Sequence, residues 1–407
     1  MTTSAPASSS LQTRNLLLAL WAFTITFWAW NLIGPLGASY SEQLGLSTQQ
    51  KSLLVATPVL VGSLGRIVTG ALTDRYGGRL MFTVLSAVSA IPVLLVDIAG
   101  NHSSFGFLLI CAFLLGIAGT TFAIGVPFVS AWFDASRRGF AVGVFGAGMG
   151  GTALSAFFTP RFVTWFGYTL THVIIAIALV ATAAVCWIAM TDSPSWKPNV
   201  DPVVPKLAAA ARLPVTWQMS FLYAVTFGGF VAFSTYLPTY LGDVYSFDLT
   251  GAGTRTAGFA LAAVIGRPIG GWLSDRLSAK LIVLISLFGA AALSVVIATK
   301  PDPELAAGAA FVAMAFALGI GTGGVFAWVT KSAPPERVGS VTGIVGAAGG
   351  LGGYFPPLVM GATYNEATHS YTVGLLLLCC TALLAALFVI IRMRSSGDSS
   401  RQQVAAA

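Results

Sequence analysis

About a dozen apolar stretches of roughly 20 residues run the length of this 407-residue chain, separated by short polar segments. A helix of that length rises about 30 Å, the thickness of a bilayer's hydrocarbon core. The chain therefore reads as an all-α polytopic membrane protein. Composition agrees, with only 9% charged residues where a soluble domain averages about 25%, and a mean hydropathy of +0.82. Secreted, nuclear and ordinary cytosolic classes are excluded. The net charge of +7 is spread between the apolar stretches, unlike a nucleic-acid-binding patch. The expected partner is a lipid bilayer and not a nucleic acid.

Twelve transmembrane helices are expected at 16–38, 52–72, 80–99, 105–132, 139–162, 168–190, 216–241, 254–274, 280–299, 305–330, 338–362 and 371–392. The interruption at 191–215 holds Pro194, Pro198, Pro202, Pro205 and Pro214 with mixed charges, a composition that suits a linker and not a span. It separates a six-helix bundle at 16–190 from a second at 216–392, with tails at 1–15 and 393–407. Polar Met1–Asn15 leads into a span too long for the apolar region of a signal peptide. With the N-terminus inside, 15 basic residues fall on the cytoplasmic side, and Lys51, Arg161, Arg255 and Lys300 on the other. The bias places both termini and the linker in the cytoplasm, as expected for a cell (plasma or inner) membrane protein. Cys111, Cys186, Cys379 and Cys380 lie inside apolar segments without C-x-x-C spacing and read as small packing residues.

The two bundles repeat one another. Gly65-Arg66-Ile67-Val68-Thr69-Gly70-Ala71-Leu72-Thr73-Asp74-Arg75 aligns with Gly266-Arg267-Pro268-Ile269-Gly270-Gly271-Trp272-Leu273-Ser274-Asp275-Arg276 at an offset of 201. Arg137, Gly139, Gly143, Gly146, Ala147 and Gly150 recur as Arg337, Gly339, Gly343, Gly346, Ala347 and Gly350 at an offset of 200. A same-orientation duplication implies a pseudo-two-fold axis along the membrane normal and a cavity near the midplane. The Asp-Arg pairs after spans 2 and 8, with Gly77-Gly78-Arg79 following the first, resemble the G-x-L-x-D-R-x-G-R loop of the major facilitator superfamily. That resemblance implies a twelve-helix fold of two pseudo-symmetric six-helix bundles and a gating role for Asp74, Arg75, Asp275 and Arg276, with the acids partnering nearby arginines. The second loop departs from the pattern, with Ser278-Ala279-Lys280 in place of Gly-Gly-Arg.

The two remaining basic residues, Arg66 and Arg267, lie about two thirds of the way along spans 2 and 8. Charge at that depth costs about 2.5–3.5 kcal/mol on insertion scales, so both side chains are expected to face a cavity. None of the 14 acids falls mid-span, and the arginines read as a site for an anion. A planar fork of donors suits a trigonal oxyanion better than a point charge does. Glycines crowd spans 5 and 11; they allow close helix packing, and a tight cavity would equally exclude bulky substrates. Tyr223 and Phe227, four apart, share a helix face, and Phe122 in span 4 has a counterpart in Phe326 of span 10. Aromatics at helical spacing ordinarily pack; beside arginines, ring faces could sandwich a flat anion while a tyrosine hydroxyl donates to it.

This combination resembles the nitrate/nitrite porters of that superfamily: the Gly-Arg element in spans 2 and 8, Leu222–Gly228 in span 7, and the glycine-rich segments, above all Gly346-Ala347-Ala348-Gly349-Gly350-Leu351-Gly352-Gly353-Tyr354-Phe355-Pro356. The resemblance implies that nitrate and nitrite are the ligands, clamped by Arg66 and Arg267, hydrogen-bonded by Tyr223 and held on both faces by Phe122 and Phe227, with Gly150 and Gly350 shaping the site. The first glycine segment lacks the asparagine common in the family, and Thr152 is the candidate replacement donor. Exchange of nitrate for nitrite is expected, since His102, His172 and His369 all fall at the non-cytoplasmic ends. The alternatives are a nitrate/proton symporter, an organic-phosphate antiporter, which would recruit further Lys or His, a multidrug exporter, which would carry a buried acid, and a transporter-like sensor. No metal, cofactor or catalytic constellation is expected, and one chain is expected to work as a monomer.

Overall fold

The computed structural model describes residues 9–102, 104–199, 202–334 and 337–393. Asp201, Glu336, Arg394, Asp398 and Arg401, counted above, lie outside these residues, as do 1–8 and 394–407 of the two tails. The elements are α1 (Ser9–Trp30), α2 (Ile33–Leu44), α3 (Thr48–Tyr76), α4 (Gly78–Asn101), α5 (Phe105–Leu115), α6 (Phe122–Trp132), α7 (Ala135–Gly146), α8 (Gly151–Ala189), α9 (Val203–Ala211), α10 (Pro214–Tyr245), α11 (Leu249–Arg276), α12 (Ala279–Ala298), α13 (Ala306–Ser332), α14 (Val338–Gly352), α15 (Phe355–Ala362) and α16 (Thr372–Arg392). Short 3₁₀ turns join α5 to α6 at Gly116–Thr121 and α7 to α8 at Ala147–Gly150.

Ten of the described helical runs are long and apolar enough to cross a membrane. One of them, Phe140–Ala189, is 50 residues long and bends at Gly167, whose φ of 80° an L side chain rarely adopts. Its two arms are the fifth and sixth expected spans. The eighth, α11, has the length but is not among the ten; it carries Arg267 in its interior and Arg255, Asp275 and Arg276 toward its ends. The described helices are thus consistent with the twelve spans expected.

Where spans depart from straight helices, the sequence supplies the cause. The first is interrupted at Asn31–Leu32 between α1 and α2, and the eleventh at Gly353-Tyr354 before Pro356-Pro357. Ser47 and Gln50 form a reciprocal capping box that starts α3. The stretch expected as a linker contains the short helix α9.

Contacts divide the chain into two units: Met1–Val203 with Thr235–Gly242 and Phe247–Ala257, and Val204–Ser234 with Asp243–Ser246 and Gly258–Ala407. Within the first unit, the included pieces of α10 and α11 bond to α3 and α8. Ser52 and Tyr236 share a buried hydroxyl–hydroxyl bond of 2.8 Å, and Arg161 donates to Thr254 Oγ1 at 2.9 Å. Both units bury their cores under small and aromatic residues, while Ile91, Ile110, Ile177, Leu384 and Ile391 point outward, as lipid contact requires. Cys111, Cys186 and Cys379 are buried, and Cys380 faces outward on α16.

Candidate functional site

Each unit contains the same arrangement: an arginine over a phenylalanine, backed by further aromatic rings. In the first unit, Arg66 on α3 is 4% exposed and its guanidinium carbon stands 5.2 Å from the Phe122 ring centre. Phe122 is 5.8 Å from Phe23, which meets Phe27 edge-on at 4.3 Å and stacks on Phe145 at 4.7 Å. In the second unit, Arg267 on α11 is half-buried, with its guanidinium carbon 5.3 Å from the Phe326 ring. Phe326 meets Tyr223 edge-on at 4.7 Å, and Tyr223 stacks on Phe227 at 4.9 Å with the planes 4° apart. The guanidinium plane can lie against a ring while its edge nitrogens remain directed elsewhere.

The second copy has one feature the first lacks. Arg267 Nη2 donates to Tyr223 Oη at 3.4 Å, the hydroxyl oxygen acting there as acceptor. Phe23, two hundred positions earlier, occupies the corresponding place without a hydroxyl.

Glycines permit this geometry at the helix crossings. In the second unit, a Cβ on Gly319 or Gly323 of α13 would overlap the α11 backbone at Ala263 or Arg267. The close approach of α11 and α13 brings Phe326 to the guanidinium. In α14, a Cβ on Gly349 would overlap the Tyr223 ring, and one on Gly352 would overlap the Ala224 backbone. The first unit repeats the device, with Gly148 against the Phe23 ring and Gly151 against the Thr24 carbonyl.

The two glycines singled out from the sequence behave differently from those neighbours. Gly350 is buried. A Cβ on Gly150 would have no neighbour within 4 Å, and the same holds for Gly143 and Gly343. Close helix packing is therefore the reason for Gly148, Gly151, Gly349 and Gly352, and not for Gly143, Gly150 or Gly343. The hydroxyl of Thr152, the candidate replacement donor, gives its proton to the Met149 carbonyl at 2.9 Å in this structure. Phe23, Phe27, Gly349 and Gly323 were not singled out in the sequence. The offset that relates Phe23 to Tyr223 was the signal available for the first.

The four loop residues split into two local settings. Arg75 lies over Tyr76 at 5.5 Å and Arg276 over Trp272 at 4.2 Å. An arginine partner was expected for Asp275; instead it pairs with Lys331 of α13 at 2.8 Å. The lysine reaches there because it also donates to the Ser274 carbonyl at 3.0 Å. Both partners are well exposed, so the pair contributes at most about 1 kcal/mol. Asp74 offers its backbone carbonyl to the amide of Asn199 at 2.9 Å.

The sequence profile of the Major Facilitator Superfamily matches residues 19–357 and again 246–405. Among solved structures, a bacterial homolog of the human lysosomal transporter Spinster superposes with a TM-score of 0.72, covering 95% of this chain and 97% of that one at 18% identity. The human organic anion transporter MFSD10 gives 0.71 over 93% and 99% at 13% identity. The profile spans most of the chain, which therefore belongs to the major facilitator superfamily, a class of membrane transporters.

Its relatives place it more narrowly. It is 60% identical over 366 residues to the probable nitrate/nitrite transporter NarK2 of Mycobacterium tuberculosis, covering 90% of this chain and 93% of that one. The probable nitrate/nitrite antiporter NarK1 of Thermus thermophilus is 36% identical over 388 residues, with 87% and 86% covered. The nitrite extrusion protein of Bacillus subtilis is 35% identical over 353 residues, with 86% and 87% covered. Within the superfamily, the chain falls in the nitrate/nitrite porter family.

Proposed function

We propose that this chain carries nitrate and nitrite across the plasma or inner membrane, exchanging one for the other by alternating access, with both termini cytoplasmic. The observation that supports it most is the duplicated arginine-over-phenylalanine contact, 5.2 Å for Arg66 and 5.3 Å for Arg267. Two planar forks can bind the oxygens of one flat anion, while ring faces accept its weakly hydrated surface. Tyr223 supplies a neutral donor. Phe122 and Phe227 hold the anion's faces, and Gly150 and Gly350 keep the path beside it narrow.

In this reading the anion is also the moving countercharge. Two guanidinium groups acting on one anion repel each other when it is absent, which disfavours passage of the empty carrier through its closed state. Return without cargo is then slow, and transport becomes exchange. Asp74, Arg75, Asp275 and Arg276 hold the cytoplasmic gate, where the positive-inside bias places them. One chain suffices for the cycle.

Counterflow in proteoliposomes tests the proposal. Labelled nitrate is expected to enter nitrite-loaded vesicles and to remain outside vesicles containing neither anion. Uptake into empty vesicles driven by a pH gradient would replace exchange with proton symport.

A further inference from the structure

The segment 191–199 follows α8, and its composition marks it as the start of a tether. In the structure it is bonded through Thr191, Asp192, Ser193, Ser195 and Asn199 to the end of the first unit that carries Asp74 and Arg75. The Thr191 amide donates to Asn15 Oδ1 at 2.9 Å, and Asn15 Nδ2 donates to Thr191 Oγ1 at 3.1 Å. Asp192 Oδ1 accepts the amide of Arg79 at 3.1 Å. The Ser193 and Ser195 hydroxyls both donate to the Ala131 carbonyl, at 2.7 and 2.8 Å. The Asn199 amide donates to the Asp74 carbonyl at 2.9 Å. Three helices and the Asp-Arg loop are tied by one extended piece of chain.

Asp192 explains Gly77, the first glycine of that loop, while Gly78 makes room for the Phe128 ring. α4 begins at Gly78 with Gly77 as its preceding residue, which has no side chain to satisfy the first helical amides. Asp192 takes that place from 113 residues away. The close fit requires glycine twice over: φ at Gly77 is +85°, and a Cβ there would stand 2.7 Å from Asp192 Oδ2. The corresponding loop of the second unit solves the same problem locally. Ser278 has an extended φ of −166° and accepts the Leu281 amide at 3.4 Å, capping α12 from its own chain. The basic residues correspond as well: Arg79 donates to the Trp187 carbonyl at the end of α8, and Lys280 to the Met393 carbonyl just past α16. Ser278-Ala279-Lys280 is thus a self-capped version of a loop that in the first unit is capped by the linker.

We infer that residues 191–199 form a strap that holds the first Asp-Arg loop in register, with Asp192 its principal positioning residue for the transport cycle. Asp192 touches no substrate. It fixes the start of α4 and thereby the carbonyl and side chain of Asp74 next to it, so the conformational step of transport depends on the linker's attachment. The inference rests on the reading of that loop as a gate.

The test uses the full chain. Asp192→Ala is expected to lower the maximal rate of nitrate/nitrite counterflow about fivefold with KM for nitrate unchanged, and to speed hydrogen exchange at the Arg79 amide at least tenfold. Asp192→Asn keeps an acceptor and is expected to stay within twofold of the parent in both. If Asp192→Ala does not fold, Ser193→Ala with Ser195→Ala frees the strap from Ala131 and should reproduce the same pattern. An unchanged rate despite faster exchange at Arg79 would overturn the role in transport, as would an unchanged amide. A rate for Asp192→Asn as low as that of Asp192→Ala would overturn Asp192 as the cap. Should the parent protein fail to exchange nitrate at all, the transport proposal falls, while the Arg79 amide still reports on the strap.

Discussion

The Tyr223 ring lies on Gly349, so close that a methyl group on that glycine would overlap the ring's Cδ1 edge. One glycine of α14 thus sets where a hydroxyl of α10 stands, and through it the bond from Arg267. Gly349→Ala is expected to push Tyr223 aside and cut nitrate uptake at least tenfold, with an overpacking penalty of about 1–3 kcal/mol. Uptake assays paired with thermal unfolding of the purified protein separate the two effects. Normal uptake would show that the ring's seat is immaterial.

Replacing the guanidinium by an ammonium keeps the charge and removes the planar fork. Arg66→Lys and Arg267→Lys are each expected to slow transport about 10- to 100-fold, the loss of one charge-assisted hydrogen bond of about 1.5–3 kcal/mol. Initial-rate measurements at saturating nitrate check this.

Tyr223→Phe removes a hydroxyl and leaves the stack on Phe227 in place. KM for nitrate should rise roughly fivefold, near the ~1 kcal/mol of a single neutral hydrogen bond, and the folding temperature should barely move. A concentration series of counterflow rates gives the answer.

Neighbouring glycines make a contrasting pair. A Cβ at Gly150 meets open space, whereas one at Gly151 would overlap the Thr24 carbonyl. Gly150→Ala is expected to fold at least as stably as the parent, and Gly151→Ala to lose about 1–3 kcal/mol. Thermal unfolding in detergent compares them directly. Gly150→Leu should still obstruct transport, because its bulk would enter the space that the glycine leaves open.

Acid should loosen the start of α11. The Asp248 carboxylate accepts the Thr250 hydroxyl and the Gly251 amide, and the Thr250 bond above all holds its pKa below the ordinary carboxylate value. A lowered folded-state pKa gives stability that is present above the ordinary value and is lost as pH falls through the lowered one. Hydrogen exchange at Gly251, corrected for its intrinsic pH dependence, should accelerate over that acid range and hold steady at neutral pH. The carboxylate is exposed, so the effect is local.

The arginine-over-ring contacts were legible in the sequence because they are written twice. Arg66 and Arg267 stood out as charges within apolar spans, Phe122 and Phe326 as counterparts in spans 4 and 10, and Tyr223 by its four-residue spacing from Phe227. Phe23 escaped notice because a phenylalanine in a membrane span is ordinary packing until its ring contacts are known. The glycine segments were legible as segments only. Which glycines face a helix and which face open space depends on where α1 and α10 cross them, which a run of glycines does not encode. The Asp192 contact joins residues 113 apart, and nothing local to a proline-rich linker announces that its acid caps a helix of another segment. Likewise Lys331 reached Asp275 through a helix crossing and not through sequence proximity.

The central claim is that Arg66 and Arg267 bind the same anion. Nitrate affinity of the purified protein, measured by calorimetry for the parent, Arg66→Lys, Arg267→Lys and the double variant, tests it most directly. If they share one anion, either single change removes most of the affinity and the double change adds little, a coupling above about 1 kcal/mol. Losses that add to within about 0.5 kcal/mol, or binding that survives either substitution, would contradict the claim.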